Sequence, residues 1–345
     1  MRILLTGGAG FIGQHVLRDL LERGHTVRIL DSLRPDVHLT NDVAALHEAE
    51  LHIADVRDAA KVDLALHGIE AVIHLAAKVG LGVDVGDFPD YASSNDAGTA
   101  QLLTGMARAG VHRLTLASSM VVYGEGFGIC AEHGAVTPGP RIEAELMKGR
   151  FEPPCPICGS SLGTSLVCET APLDPRNAYA TSKVAQEHYA SNWARTCGGA
   201  VAAMRYHNVY GPGMPRNTPY AGVAAIFTSA LRRGEPPNVY EDGGQRRDFV
   251  HVKDVAHATV LACERHLTGV RAFNVGSGTP RTVGEMATQL AKTLNGPQPV
   301  VTGQYRLGDV RHITADSSRL LKELGWRSII PFESGMSELA GEPFQ

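Results

Sequence analysis

Eight residues near the start, Thr6-Gly7-Gly8-Ala9-Gly10-Phe11-Ile12-Gly13, restrict this chain more than any other stretch. They follow a short apolar run, Ile3 to Leu5, and open an amphipathic helix through Leu17, Leu20 and Leu21. Glycines at 7, 10 and 13 let the backbone turn tightly and approach a pyrophosphate, whose charge is met by the helix N-terminus. A second apolar run, Thr26 to Leu30, ends in Asp31, where a carboxylate accepts a ribose 2'-hydroxyl and repels a 2'-phosphate. The stretch therefore reads as a dinucleotide loop that favours NAD over NADP, with Gly7, Gly10, Phe11, Ile12, Gly13 and Asp31 as contacts. The bland alternative is a glycine turn that holds no ligand.

Further apolar runs, Leu51 to Val56 and Ala71 to Ala77, alternate with helical stretches. That alternation predicts an α/β fold of the Rossmann type, a doubly wound parallel sheet with ligands at the strand carboxyl ends, followed by a smaller α/β C-terminal substrate lobe. At 345 residues and 43% hydrophobic content the chain can bury two cores. The expected division is 1–210 with 246–278 for the dinucleotide and 211–245 with 279–345 for the substrate. A formal net charge of -4 gives no electrostatic reason to expect nucleic acid or an anionic membrane. Met1-Arg2 runs straight into apolar residues and glycines, so neither a signal peptide nor a membrane span is expected, and the protein reads as cytoplasmic. Six unevenly spaced cysteines do not form a secreted disulfide framework.

Tyr179 and Lys183 stand four residues apart after Asp174-Pro175-Arg176-Asn177, a helix-starting stretch. One helical face would carry both, and an ammonium about 4 Å from a phenol at an effective dielectric near 20 favours the phenolate by about 4 kcal/mol. That pair would be a base; the alternative is a packed aromatic beside a solvated charge. Ser119, at the end of the apolar run Arg113 to Ala117, can hydrogen-bond the oxygen that such a base deprotonates, whereas Ser118 reads as a strand-end cap.

Together these stretches resemble the extended short-chain dehydrogenase/reductase superfamily, in the branch acting on nucleotide sugars. The resemblance implies that Asp55 contacts the adenine amino group with Val56 beside it, and that Leu75, Ala76 and Ala77 line the dinucleotide. It also implies that Asn95 keeps the sheet and active-site waters in order and that Lys183 binds the nicotinamide ribose. His74 reads as structural. Dehydratases of the family follow the hydroxyl with an Asp-Glu pair, and decarboxylating relatives have a glutamate at the second of these places. Here Met120 and Val121 stand there, which leaves redox chemistry without elimination.

Between Gly124 and Tyr179 the chain carries an insertion, 125–172, with Cys130-Ala131-Glu132-His133 and Cys155-Pro156-Ile157-Cys158-Gly159. The spacing suits a structural zinc held by Cys130, His133, Cys155 and Cys158. Reduced thiols with a solvated histidine, a ligand role for Cys168 and a redox pair at Cys155 and Cys158 are the alternatives.

Downstream, the family resemblance implies that Asn208, Arg247 and Arg306 grip a nucleotide diphosphate; a guanidinium suits that task because it pairs bidentately with phosphate. The stretch containing Asp316 and Leu324-Gly325-Trp326 reads as a helical cap over the substrate. The implied activity is NAD-dependent nucleotide-sugar 4-epimerisation through a 4-keto sugar by a homodimer paired through helices that include the one bearing Tyr179. Within the family the resemblance is to dTDP-L-rhamnose and UDP-glucose 4-epimerases. A net 4-reductase or dehydrogenase and a UDP-hexose or UDP-uronate 4-epimerase are the alternatives within the enzyme class, and an NAD-sensing scaffold lies outside it.

Overall fold

The computed structural model describes residues 1–35, 46, 48–80, 85–215 and 222–342. Its central sheet has seven parallel strands: β1 Arg2–Thr6, β2 Thr26–Asp31, β3 Glu50–Ile53, β4 Ala71–His74, β5 Arg113–Ser119, β6 Ala200–Tyr206 and β7 Val270–Val275. They lie in the order β7-β6-β5-β4-β1-β2-β3. Such a sheet is covered on both faces, which is why its inner strands are nearly continuous apolar runs. Helices α1, Phe11–Glu22, and α5, Val252–Glu264, cover one face through Val16, Leu17, Leu20, Ala256 and Val260. Helices α2, Ala59–Leu66, α3, Gly98–Ala109, and α4, Ala178–Cys197, cover the other through Val62, Leu66, Leu102, Met106, Ala190 and Trp193.

The strand order reverses at β1, which pairs with β2 on one side and β4 on the other. The carboxyl ends of these strands open a crevice at that reversal, where ligands of doubly wound sheets bind. Strand β3 stops at Ile53, short of the expected Val56, because the chain turns there: Asp55 accepts from the Arg57 amide and Asp58 caps α2.

Smaller sheets follow towards the C-terminus. Asn208–Tyr210 pairs with Phe249–His251, Asn238–Val239 pairs with Val300–Val301, and Arg246–Arg247 lies between Arg281–Thr282 and His312–Ile313. Around them Phe227, Leu231, Met286, Leu290, Met336 and Leu339 form a separate core. The expected helical cap over the substrate is instead a buttress. Leu320, Leu324 and Trp326 pack beside Tyr206 and Phe273 on the edge of the large sheet, and the Trp326 indole donates to the Asp254 carbonyl at 3.0 Å. Three apolar side chains at that spacing are more stable against a sheet than over a polar ligand. Among the described residues no helix is long and apolar enough to cross a membrane.

Candidate active site

The glycine loop has the shape a dinucleotide needs. Gly7 has φ of +71°, and a Cβ there would lie 2.6 Å from the Ala76 amide nitrogen. A Cβ on Gly13 would lie 2.2 Å from the Gly7 carbonyl oxygen, so only glycine lets α1 start this close to β1. Gly10 differs: a Cβ there would touch just the Gly7 carbonyl oxygen, at 3.3 Å, and its missing side chain leaves the helix start open. No side chain caps α1, so its first amides are left for an anion. Asp31 is buried at the end of β2 and steadies the loop by accepting from the Ala9 amide at 3.0 Å. These features fit NAD.

Phe11 and Ile12 form the first turn of α1, and Ile12 packs into both neighbouring cores. Leu75, Ala76 and Ala77 follow β4 at the crevice and are half-buried; the Ala76 amide donates to Thr6 Oγ1 at 3.2 Å. Asp55 lies beyond β3 with its carboxyl held below the usual range, chiefly by hydrogen bonds from Arg57. Val56 is buried against Gly98. His74 is structural as expected: it sits between Thr6 and Thr99, and burial lowers its pKa to about 3.

Asn95 is fully buried in a wide π-helical turn, Ala92–Ala97. Its amide nitrogen donates to the Lys78 carbonyl and to Ser182 Oγ, each at 2.9 Å, and its oxygen accepts from the Lys78 amide at 2.7 Å. It braces the crevice wall against helix α4. That helix starts where Asn177 accepts from the Ala180 amide at 2.8 Å, and it ends at Gly198 with φ of +68°.

Tyr179 lies in the first turn of α4, half-buried, with the Tyr91 ring 6.1 Å away. Lys183, one turn on, is buried and donates to the Ala117 carbonyl at 2.9 Å, with Nζ 5.8 Å from the centre of the Tyr179 ring. The expected lowering of the phenol pKa by Lys183 is not what this geometry gives. Burial raises Tyr179 to about 12, while the adjoining Ser119 hydroxyl pulls the other way. Burial likewise lowers Lys183 to about 8, opposed by Glu187. Desolvation penalises both charged forms, and Lys183 is not among the groups that shift Tyr179.

Ser119 ends β5 and pairs in register with Tyr206. Ser118 is committed elsewhere, donating to Glu187 Oε1 at 2.5 Å, and Glu187 in turn binds Arg205. Two residues after Tyr206, Asn208 pairs with Phe249, and its side-chain oxygen is buried without a hydrogen bond from any described residue. Its backbone amide donates to the Asp248 carbonyl at 2.9 Å, which sets its strand alongside the Arg247–Asp248 stretch. A buried acceptor without a hydrogen bond from the described residues marks this end of the crevice as a place for a polar ligand.

Arg247 Nη1 donates to the Arg246 and Arg311 carbonyls, each at 2.9 Å, and Nη2 donates to the Val310 carbonyl at 2.7 Å. These bonds leave Nε–H and one Nη2–H for a ligand. Arg306 is exposed and lies over the Tyr240 ring, 5.3 Å from its centre, beside a hollow lined by Thr302, Gly303, Gln304 and Tyr305. Burial raises the Asp309 carboxyl, with Arg247, Arg306 and Arg141 opposing, so both predicted arginines share one acidic neighbour.

Beneath them lies a charge network missing from the sequence reading. Arg311 is 2% exposed and binds Glu241, Asp242 and Glu152, while Arg141 binds Glu241 at 2.5 Å.

In the insertion, Gly128–Cys130 pairs with Gly134–Val136 and with Gly163–Thr164. Cys130, His133, Cys155 and Cys158 converge, with all four candidate ligand atoms within 4.8 Å of one another. Cys130 Sγ is 3.7 Å from Cys158 Sγ and 3.5 Å from His133 Nδ1; Cys155 Sγ is 3.9 Å from His133 Nδ1. Cys168 is outside this group, beside Thr170. A tetrahedral zinc with arms of about 2.3 Å to sulfur and about 2.05 Å to nitrogen has edges of about 3.8 and 3.6 Å. The donor set and its spacing fit that ion.

The chain matches the NAD dependent epimerase/dehydratase family over residues 3–143 and 156–276, so the unmatched 144–155 falls inside the insertion. It is 37% identical to a dTDP-L-rhamnose 4-epimerase of Burkholderia thailandensis over 345 residues, covering 98% of this chain and 93% of the relative. The UDP-glucose 4-epimerase of Thermotoga maritima, solved with UDP-glucose, superposes with a TM-score of 0.80 at 30% identity, covering 99% of this chain and 97% of that one. The Thermus thermophilus UDP-glucose 4-epimerase, solved with NAD, gives 0.78 at 31% identity, covering 99% and 98%. The crevice geometry and the length of these matches agree, and the chain belongs to the NAD dependent epimerase/dehydratase family.

Proposed function

We propose that the chain is an NAD-dependent nucleotide-sugar 4-epimerase working through a transient 4-keto sugar, with dTDP-L-rhamnose as its leading substrate. The observation that carries this reading is the convergence of Ser119, Tyr179 and Lys183 at one end of the crevice, with Met120 and Val121 rather than acids after the serine. Tyr179 Oη takes the proton of the sugar 4-hydroxyl while Ser119 holds the same oxygen. Lys183, 5.8 Å from the ring centre, is the cation that would have to offset part of the burial holding Tyr179 at about 12, and it reaches the nicotinamide ribose. NAD, when bound along Gly7 to Gly13, Asp31, Asp55 and Leu75 to Ala77, supplies the hydride acceptor. Inversion requires the sugar to present both faces of C4 in turn, so the diphosphate must be held while the hexose turns. Asn208, Arg247 and Arg306 do the holding.

In this reading residues 1–210 and 246–278 serve the dinucleotide and 211–245 and 279–345 the sugar nucleotide, with strand Arg246–Arg247 at the seam. The insertion holds one structural Zn²⁺ on Cys130, His133, Cys155 and Cys158, and two chains pair through a four-helix interface that includes α4; sedimentation as a monomer at micromolar concentration would remove that pairing.

Incubating the pure protein with a panel of UDP-, dTDP- and GDP-sugars and reading C4 by NMR tests the reaction. Inversion of dTDP-L-rhamnose is the expected result, and no inversion of any member sinks the epimerase reading. The likeness to a structure holding UDP-glucose keeps a UDP-hexose as the second substrate. Consumption of added NADH with a keto sugar would instead mark a net reductase.

A further inference from the structure

We infer that the Cys/His insertion anchors the diphosphate clamp, so that its zinc ion sets affinity for the nucleotide end of the substrate and leaves NAD binding alone; this rests on the zinc assignment above. Arg247 is seated on the carbonyls of Val310 and Arg311, and Arg306 belongs to the same segment. Whatever holds residues 306–312 therefore positions both arginines.

The insertion holds them. Glu125 Oε2 accepts from the Arg311 amide at 2.7 Å, and Arg141 Nε donates to the Asp309 carbonyl at 2.9 Å. Glu152 accepts from Arg311 Nε at 2.8 Å, and its other oxygen is 2.8 Å from His312 Nε2. Arg141 and Arg311 also meet on Glu241. Buried charges this closely shared are costly to strip of one partner, because the remaining charges stay desolvated.

The ligand-bearing middle of the insertion has little else to keep it folded, although its two ends are tied down where Phe127, Val167 and Ala171 pack with Tyr123 and Ile313. Its own apolar cluster is Cys130, Val136 and Cys155 with Leu162 beside them, so two of the three buried members are metal ligands. Its strands run for two or three residues each. A module that small takes its folding energy from its metal. Glu152 stands three residues before Cys155, so the ion fixes the root of that acidic contact, whereas Glu125 is already rooted by the fully buried Tyr123 two residues before it.

The test uses the full chain loaded with Zn²⁺, then stripped with a chelator, and reads calorimetric Kd for dTDP and UDP together with NAD content. Stripping is expected to raise Kd about tenfold, the equivalent of one charge-assisted hydrogen bond. NAD content stays constant, and Zn²⁺ add-back restores the original Kd. Because stripped protein can unfold locally and aggregate, Arg141→Gln and Glu152→Gln serve as companions that keep all four ligands. Each should weaken dTDP or UDP binding by a similar factor with one zinc still bound. Unchanged Kd in the stripped protein and in both variants overturns the inference and leaves the zinc assignment standing. Metal-replete protein without zinc overturns the assignment and the inference with it. Zinc-loaded protein that binds neither nucleotide overturns the nucleotide-sugar reading instead.

Discussion

The end of the crevice proposed to handle the proton and the end proposed to grip the diphosphate are held by different means. Ser119 closes a central strand, and Tyr179 and Lys183 stand one turn apart on a helix of 20 residues that is capped at both ends. Backbone hydrogen bonds of regular structure place all three. The Arg247 backbone lies in a short paired strand, but its guanidinium, and Arg306 as a whole, depend on a segment without regular structure from Arg306 to Arg311, held by side-chain charges from the insertion and from Glu241 and Asp242. Chemistry that needs one fixed proton path gains from the first arrangement. A site that must grip one part of a ligand while another part turns is better served by the second, whose contacts can be adjusted one pair at a time.

The largest effect should break the catalytic side alone. Tyr179→Phe is expected to lower kcat by about a thousandfold, within the range for a positioned acid–base group, with NAD content and nucleotide affinity retained. A near-normal turnover would take Tyr179 out of the mechanism. The same end should show a pH signature. Lys183 falls from 10.5 to about 8 on burial, so between those values the unfolded chain keeps a proton that the folded chain has shed, and stability rises with pH across that window. Relative to Lys183→Met, the wild type should gain about 3 kcal/mol from pH 8 to 10.5, at about 1.36 kcal/mol per unit. Denaturant titrations at both ends of the window measure it, and a constant difference would contradict a depressed lysine. On the clamp side, Arg247→Ala should raise KM for the nucleotide sugar about thirtyfold, near 2 kcal/mol for lost charge-assisted bonds, with kcat little changed. Equal losses in kcat and kcat/KM would mean that Arg247 acts in the transition state, and the division between the two ends would fail.

What could be read from the sequence was whatever is local in the chain. Gly7, Gly10 and Gly13 lie within one turn and a helix start, Tyr179 and Lys183 share a helical face, and the four converging Cys/His residues come as two short-range pairs. The supports of the clamp were hidden because Arg141 and Glu241 are 100 residues apart, and Arg311 and Glu241 are 70. Charged residues in loops carry no period, so nothing marks which of them will be buried together. The phenol's direction of shift was hidden for another reason: charge spacing is visible in a sequence, but the desolvation that raises Tyr179 to about 12 exists only once the crevice has formed.

The π-helical turn at Ala92–Ala97 carries one residue more than an α-helix would place in the same span. Removing one residue there would let the turn close as plain α-helix with both flanks kept in phase, so the fold would survive while the wide turn that presents Asn95 would be lost. Asn95 could then no longer reach Lys78 and Ser182 together. A single-codon deletion there would alter the footing of the helix that carries Tyr179 without touching a residue that meets substrate, whereas many point substitutions on the outer side of the turn would pass unnoticed.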